Sequence, residues 1–486
     1  MPPSEPPAVV IERLIAARRW DEAMAASDRA CSADRGSPTG WLGRAKINHL
    51  RGLNRQALED IEQALRRSPS MPMALHLKAS IMYRLGRGAE AIESMQRLVR
   101  SGAPNAQSVM LTLAEALERM GRIDELRVLF DGPWAWQDHP HAVALHLRML
   151  GHSDPAGAIE RMQSFARGAA PAPLRRMAGF DAVRLLDRLG RYEEAMQEAV
   201  ATHASTTPPF DLASFRKPLD AQVRMLAGDA PRRPPLTAPV TASAMVIALP
   251  RSGTTLLEQM LDRHPAISGI GEYEGIRQMG SALEARLAWP SGLWGLPRDE
   301  ATLLQERYVG GARATLRPGS TWTFDKTLHG WQWLPAIGAL LPGMVCFEIE
   351  RDPRDTAISI LLSNFNPNSN AWTSSLHSIR EVMTIQRELV ARGLEALDLT
   401  CERLVYEDLV ADPKGHAERC LARMGLEMAP EVLQPEANQR AVLTLSNAQV
   451  RKPINSASIG RWKNYEFAFD GSWKALDEAH AGRRRS

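Results

Sequence analysis

The sequence predicts an all-α repeat array followed by a three-layer α/β domain with a mainly parallel sheet. One turn recurs through the first half with a period near 34 residues, and residues 228–244 are dense in Pro and small polar residues. Beyond residue 245, short apolar β-prone runs alternate with stretches of helical spacing. At 486 residues the chain is three times a common domain of about 150, so more than one core is expected.

Composition narrows the class. Charged residues make up 24% and the hydrophobic set 44%, the mixture of an ordinary globular protein, which excludes wholesale disorder and a collagen-like fibre. Lys plus Arg is 59 against 56 for Asp plus Glu, and the net charge of +3 sets up no field directing the chain to nucleic acid or an anionic membrane. A bound anion therefore needs local cations. The four cysteines, Cys31, Cys346, Cys401 and Cys420, form neither a CxxC pair nor a metal-ligand spacing, which points to a reducing compartment. The first charge, Glu5, precedes any apolar run, and no stretch of about 18 apolar residues occurs, so a cytoplasmic protein without a membrane span is expected.

The repeats come first along the chain. RRWDEAM at 18, RGLNRQAL at 51, LGRGAEAI at 85, MGRIDEL at 120 and LGRYEEAM at 189 share one turn, with phase positions Arg18, Gly52, Gly86, Gly121 and Gly190. Their separations are 34, 34, 35 and 69, the last being two periods, with SDPAGAIERM from Ser153 filling the missing place. This period resembles the tetratricopeptide repeat, a helix pair with small residues at the crossing. In the second unit Trp41 opens the first helix, Gly52 takes the turn, Ala57 and Ala64 are the small contacts, and Pro69 closes. Stacked pairs of this kind hold peptides or partner proteins and supply no chemistry. The boundaries expected are 1–227 for the repeats, 228–244 for a linker and 245–486 for the second domain.

In AMVIALPRSGTTLLEQMLDRHP, Met245–Leu249 reads as a strand, Pro250–Gly253 as a tight turn and Thr254–Arg263 as a helix. Strand, loop and helix N-terminus form an anion cradle of unpaired N–H groups, with hydroxyls from Ser252, Thr254 and Thr255 and close backbone approach at Gly253. No Lys follows Gly253, so the nucleoside-triphosphate loop pattern is absent and a nucleotide kinase is disfavoured; Arg251 supplies the cation instead. The second such element is LLPGMVCFEIERDPRDTAIS, with a strand over Met344–Ile349, a turn over Arg351–Asp355 capped by Asp355, and a helix from Thr356. Arg351 and Ser359 can converge on one anion, beyond the carboxyl ends of the strands.

Two anion loops in this order resemble the PAPS-dependent sulfotransferases, PAPS being 3′-phosphoadenosine 5′-phosphosulfate. The resemblance spans about 245–465 and is strongest to the protein-tyrosine sulfotransferase branch and to bacterial enzymes with fused tetratricopeptide repeats. It implies a P-loop-like fold, with Arg251, Ser252, Gly253, Thr254 and Thr255 on the 5′-phosphosulfate and Arg351 and Ser359 on the 3′-phosphate. Tyr406, in LVYEDLV, would meet the adenine side, and Ser458, Arg461 and Trp462 belong to QVRKPINSASIGRWKNYE, which closes over the nucleotide. Ser363 stands where the family has a second Arg, leaving Arg461 and Lys463 as sources of the missing charge.

In-line sulfuryl transfer needs a base for the acceptor and a cation for the leaving oxygen, and neither task requires a metal. The resemblance makes Glu272, eight residues after His264, the base, and Lys326 the cation on the bridging oxygen, with Arg251 beside it. Only 8 of the 59 basic residues are Lys, so Lys326 is a selective choice, with Asp325 as its candidate orienting partner. Glu274, His264 and His329 are rival bases, and Arg277 a candidate acceptor-side cation. The expected product is PAP, the desulfated donor. The acceptor stays open between a protein or peptide tyrosine held by the repeats, a saccharide and a small molecule. A scaffold with an inactive transferase domain is the alternative, and the oligomeric state is not legible.

Overall fold

The computed structural model describes residues 5–17, 19–85, 87–100, 106–132, 138–227, 233–438 and 453–484. Two repeat phase positions, Arg18 and Gly86, lie outside these residues, as do 228–232 of the expected linker and 449–452 of the late segment. By contacts the chain divides into two units, one running to Leu185 and one from Leu186 onward that includes the described C-terminal residues.

The first unit is helical. It contains α1 (Pro7–Ala16), α2 (Trp20–Ala33), α3 (Thr39–Leu50), α4 (Asn54–Arg67), α5 (Pro72–Arg84), α6 (Gly88–Arg100), α7 (Ala106–Arg119), α8 (Ile123–Phe130), α9 (Pro140–Ser153), α10 (Pro155–Arg167) and most of α11 (Ala172–Arg188). The repeat logic is visible at its turns: Gly52 and Gly121 have φ of 80° and 70°, left-handed values that spare glycine the Cβ clash. Ala57 and Ala64 on α4 are fully buried beside Ala45, Ala74 and Ile61, so the helix crossing leaves space for a methyl and no more. The turn of the fifth unit, between α9 and α10, lies at Asp154, whose carboxylate caps α10 by accepting the Gly157 N–H at 3.0 Å.

The second unit begins with the end of α11, then α12 (Tyr192–Thr206) and α13 (Leu212–Leu226), with Gly190 at φ 74° in the turn between α11 and α12. These helices, expected to close the repeat array, pack with the α/β elements: His203 Nε2 donates to the Leu361 carbonyl at 3.0 Å, and Gln222 Nε2 to that of Gln332 at 3.0 Å. Of the segment read as a linker, residues 233–240 run against the same unit. Backbone N–H groups of Arg233, Leu236 and Val240 donate to Ala396, Ala339 and Pro342.

The sheet is wholly parallel: β1 (Ser243–Ile247), β2 (Ile267–Gly271), β3 (Trp322–Asp325), β4 (Val345–Glu350) and β5 (Thr400–Val405) lie in the order β2-β3-β1-β4-β5. Each crossover is helical, with α14 (Thr254–Asp262), α15 (Gly275–Arg286), α16 (Arg298–Arg313), α17 (Leu334–Leu340), α18 (Pro353–Leu361) and α19 (Leu376–Ala396), followed past β5 by α20 (Tyr406–Ala411) and α21 (Pro413–Arg423). β1 is buried along its length, and alternate residues feed two cores. Met245 and Ile247 pack into one cluster with α17 and α19; Ala244 and Val246 pack into another with α14 and α21. That is the three-layer architecture the strand and helix pattern predicts. Among the described residues no helix is long and apolar enough to cross a membrane.

Candidate functional site

Parallel strands end on one edge of the sheet, and the site residues stand there. Glu272 follows β2, Lys326 follows β3, Arg251 lies in the loop after β1, Arg351 follows β4 and Tyr406 follows β5. Residues 155 positions apart along the chain are thus gathered by strand order alone.

The loop between β1 and α14 is tightly determined. Arg251 has φ 69° and Gly253 φ 99°, so the chain makes two left-handed steps before α14 starts. A Cβ on Gly253 would lie 2.3 Å from Cδ2 of Tyr406, whose ring fills that space. Ser252, Thr254 and Thr255 are buried at the helix start. Arg251 Nε donates to Ser359 Oγ at 2.7 Å, joining the first anion loop to α18. The Arg351 guanidinium sits 5.1 Å over the Tyr406 ring, and its Nη1 donates to the Arg251 carbonyl at 3.3 Å. Arg351 Nε is buried and, among the described residues, has no hydrogen-bond partner. Burial, followed by repulsion from Arg351 and Arg461, pushes the Arg251 guanidinium down to about 10. Crowded, desolvated guanidiniums with a donor to spare fit an anionic ligand, which would relieve all three strains.

Lys326 and Glu272 meet directly, Nζ to Oε1 at 3.0 Å. Lys326 is 1% exposed and the Glu272 side chain 50%, so the ammonium is walled in while the carboxylate reaches solvent. The partner expected for Lys326 was Asp325, and the structure corrects this. Successive strand residues point to opposite faces. Asp325 accordingly accepts from Tyr308 Oη at 2.8 Å, from the Thr327 N–H at 2.9 Å and from Thr327 Oγ1 at 2.6 Å. Burial raises its carboxyl to about 6, against the hydrogen bonds from Thr327 and Tyr308.

Two of the three rival bases, His264 and Glu274, have partners of their own. His264 Nδ1 accepts the Ala266 N–H at 3.1 Å and Nε2 donates to the Glu427 carbonyl at 3.1 Å, so one ring nitrogen serves the turn that ends α14 and the other ties it to the segment after α21. Burial holds His329 below the ordinary histidine range, and Glu274 is ion-paired with Arg277.

At the second loop the cap is Asp352, not Asp355. Its carboxylate accepts from the N–H groups of Arg354 and Asp355 at 2.9 and 3.0 Å, and Pro353 at the first helical position starts α18 three residues earlier than expected. Asp355 is thereby released for another task. Its carboxylate accepts the Gly460 N–H and the Trp462 N–H, each at 2.7 Å, and lies 3.5 Å from Arg351. The carbonyl of Ser458 accepts from Arg351, and Arg354 stacks 4.3 Å over the Trp462 ring. The late segment is therefore laid on the Arg351 turn, with Ser458 contributing backbone and Trp462 its ring. Ser363 donates to the Ser359 carbonyl at 2.6 Å. Arg461 is paired with Asp187, which also accepts the Tyr465 hydroxyl at 2.6 Å. Asp187, Asp352 and Arg354 are the site-shaping residues that sequence reasoning missed, while Asp355, expected as the cap, holds the late segment instead. Of these only Asp352 carried a signal, being an Asp directly before a Pro that opens a helix.

Residues 244–430 match the sulfotransferase family and residues 51–106 the tetratricopeptide repeat. An uncharacterized protein of Aquifex aeolicus (strain VF5) is 22% identical over 445 residues, covering 87% of this chain and 57% of that protein. Protein-tyrosine sulfotransferase A of Caenorhabditis elegans is 26% identical over 244 residues, 44% of this chain and 59% of that one. The chain thus spans less than two thirds of the length of either relative. Among solved structures, the sulfotransferase domain from the Synechococcus PCC 7002 olefin synthase is 19% identical, with a TM-score of 0.33 over 50% of this chain and 99% of its own. Parallel sheet, strand-end site and sequence likeness agree: residues 244–430 are a sulfotransferase-family domain, in a chain whose N-terminal half carries tetratricopeptide repeats.

Proposed function

We propose that this chain transfers the sulfuryl group of PAPS to an acceptor hydroxyl, with a protein or peptide tyrosine as the acceptor. The observation that carries the reading is the Lys326–Glu272 pair, 3.0 Å apart at adjacent strand ends beside the guanidiniums of Arg251 and Arg351. Sulfuryl transfer asks for this combination: a base exposed to the acceptor, a point cation on the leaving oxygen and an anion-binding edge.

In this mechanism the cradle of Ser252, Gly253, Thr254 and Thr255, with Arg251, holds the 5′-phosphosulfate, while Arg351 and Ser359 hold the 3′-phosphate. Trp462 and the Ser458 segment cover the nucleotide, with the Tyr406 ring setting the spacing beneath it. Glu272 takes the proton from the acceptor oxygen as that oxygen bonds to sulfur. Lys326, held in the protein by its own burial, donates to the bridging oxygen as the S–O bond breaks and negative charge passes to PAP. A phenol with a pKa of about 10 needs such a base at neutral pH.

Two observations favour a protein acceptor: the repeat helices, which commonly hold peptides, and the likeness to a protein named for tyrosine sulfation. A saccharide or small hydroxyl is served by the same base, and the test separates them. Purified protein, labelled PAPS and host lysate are combined, and the labelled species is identified by mass. Label in a polypeptide supports the proposal; label only in low-mass species moves the acceptor to a metabolite; no transfer to anything favours a scaffold with an inactive domain. Activity is expected to survive EDTA, because Lys326 supplies the charge at the leaving oxygen, and abolition by chelation would contradict this mechanism.

A further inference from the structure

One carboxylate of the site comes from outside the residues that match the sulfotransferase family. Asp187 lies at the end of α11, ahead of the repeat turn at Gly190. One of its oxygens accepts the Tyr465 hydroxyl at 2.6 Å, and the other pairs with the Arg461 guanidinium. Tyr465 is fully buried, with its ring edge-on to Tyr192 at 5.2 Å, so this end of the late segment is pinned into protein.

The backbone on either side of Arg461 is pinned as well. Gly460 and Trp462 both donate to Asp355, which lies 3.5 Å from Arg351, and Arg351 donates to the Ser458 carbonyl. Arg461 is thus held twice, its backbone on the Arg351 turn and its side chain on Asp187. Arginine is among the side chains that lose most rotamer freedom when fixed, and a partner that fixes it in advance removes that cost from ligand binding. The carboxylate occupies part of a guanidinium that carries five N–H donors in a planar fork. The charge of Arg461 is felt at Arg251, where it adds to burial and to Arg351 in disfavouring the protonated form.

We propose that Asp187 is a positioning residue of the donor site, holding Arg461 toward the Arg251 and Arg351 cluster, so that the helix ahead of the last repeat turn completes a site which the family domain alone leaves open. This rests on the PAPS reading given above. The ligand concerned is the phosphate-bearing nucleotide, with PAP as the probe.

The experiment is a calorimetric titration of PAP into the full chain, as wild type, Asp187→Asn, Arg461→Ala and the double variant. Asp187→Asn is expected to weaken PAP about tenfold in the wild-type background and to add nothing once Arg461 is removed, the signature of two residues acting as one. Equal weakening in both backgrounds would make Asp187 a purely structural residue and overturn the proposal, as would no weakening at all. Tyr465→Phe, which leaves the Arg461 pair in place, is expected to stay within about twofold of wild type. Should Asp187→Asn fail to fold, Asp187→Glu replaces it: retained carboxylate chemistry predicts affinity within about threefold of wild type, and a loss as large as that of Arg461→Ala counts against the proposal. If wild type itself takes up no PAP, the donor reading falls, and the inference with it.

Discussion

Arg251→Ala and Arg351→Ala are each expected to weaken PAP binding by about 1.5–3 kcal/mol, the worth of a charge-assisted hydrogen bond. Titration calorimetry measures this directly, and unchanged affinity in either variant would remove that residue from the site. Glu272→Gln should leave PAP affinity intact, since an amide oxygen still accepts from Lys326, while lowering turnover by ~10²–10⁴, the usual loss with a general base. Glu274→Gln should be mild because Glu274 already neutralises Arg277; reversed results would transfer the role to Glu274. Arg251 and Arg351 were legible in the sequence because each sits in a short loop directly after an apolar strand, where chemistry and backbone pattern are read together, while Glu272 was reached through the family resemblance and its spacing from His264. Asp355 and Asp187 were not legible as site residues. Their partners, Gly460 and Tyr465, lie 105 and 278 positions away, and nothing local to either Asp announces a contact at that distance.

The loop between β1 and α14 works only if Gly253 stays glycine. Gly253→Ala places a methyl 2.3 Å from the Tyr406 ring at a φ of 99°, so either the ring or the loop must shift. Left-handed strain alone costs about 1–3 kcal/mol, and both melting temperature and PAP affinity are expected to fall. Tyr406→Ala in the same chain should restore part of the stability, by removing the clash but not the strain. The strand end at Asp325 gives a pH dependence whose sign is fixed by burial. Its folded carboxyl, raised to about 6, holds a proton that the unfolded chain has lost, so its contribution to stability is full below about pH 4 and is lost as pH rises through about 6. Asp325→Asn should flatten that part of the profile by something on the order of 3 kcal/mol, measured by urea unfolding of both chains between pH 4 and 7. A profile that Asp325→Asn leaves unchanged would show that the carboxyl is not perturbed. At this scale β2, with two glycines, and β5, with alternating polar residues, carried no apolar run, whereas β1 and β4 followed from theirs, because a strand of a parallel sheet buried on both faces writes itself as near-continuous hydrophobic sequence. The start of α18 did not, because two Asp residues compete for the same cap and the winner is decided by Pro353 and by the distant pull of Gly460 and Trp462 on the loser.

Across the whole molecule, the repeats were expected to run to residue 227, yet contacts divide the chain at Leu185. Periodicity reports how a helix pair is built and is blind to what the pair packs against, which is why α12 and α13 read as repeats while serving the α/β unit. A functional consequence follows for truncation. A chain starting at Ala172 keeps Asp187, His203 and Gln222 and is expected to bind PAP normally, while losing efficiency toward a protein acceptor whose remote contacts lie on the earlier repeats. A chain starting at Thr241 loses those three anchors and should be weaker toward PAP as well. Equal kcat/KM for the acceptor in full-length protein and in the Ala172 chain would leave the earlier repeats without a role in catalysis. Underneath all of this stands the donor, and it can be tested without knowing any acceptor. Titrating PAP and, separately, ATP with Mg²⁺ into the full chain should give stoichiometric PAP binding that raises the melting temperature and ATP binding that is far weaker. Tight ATP with no response to PAP would contradict the account.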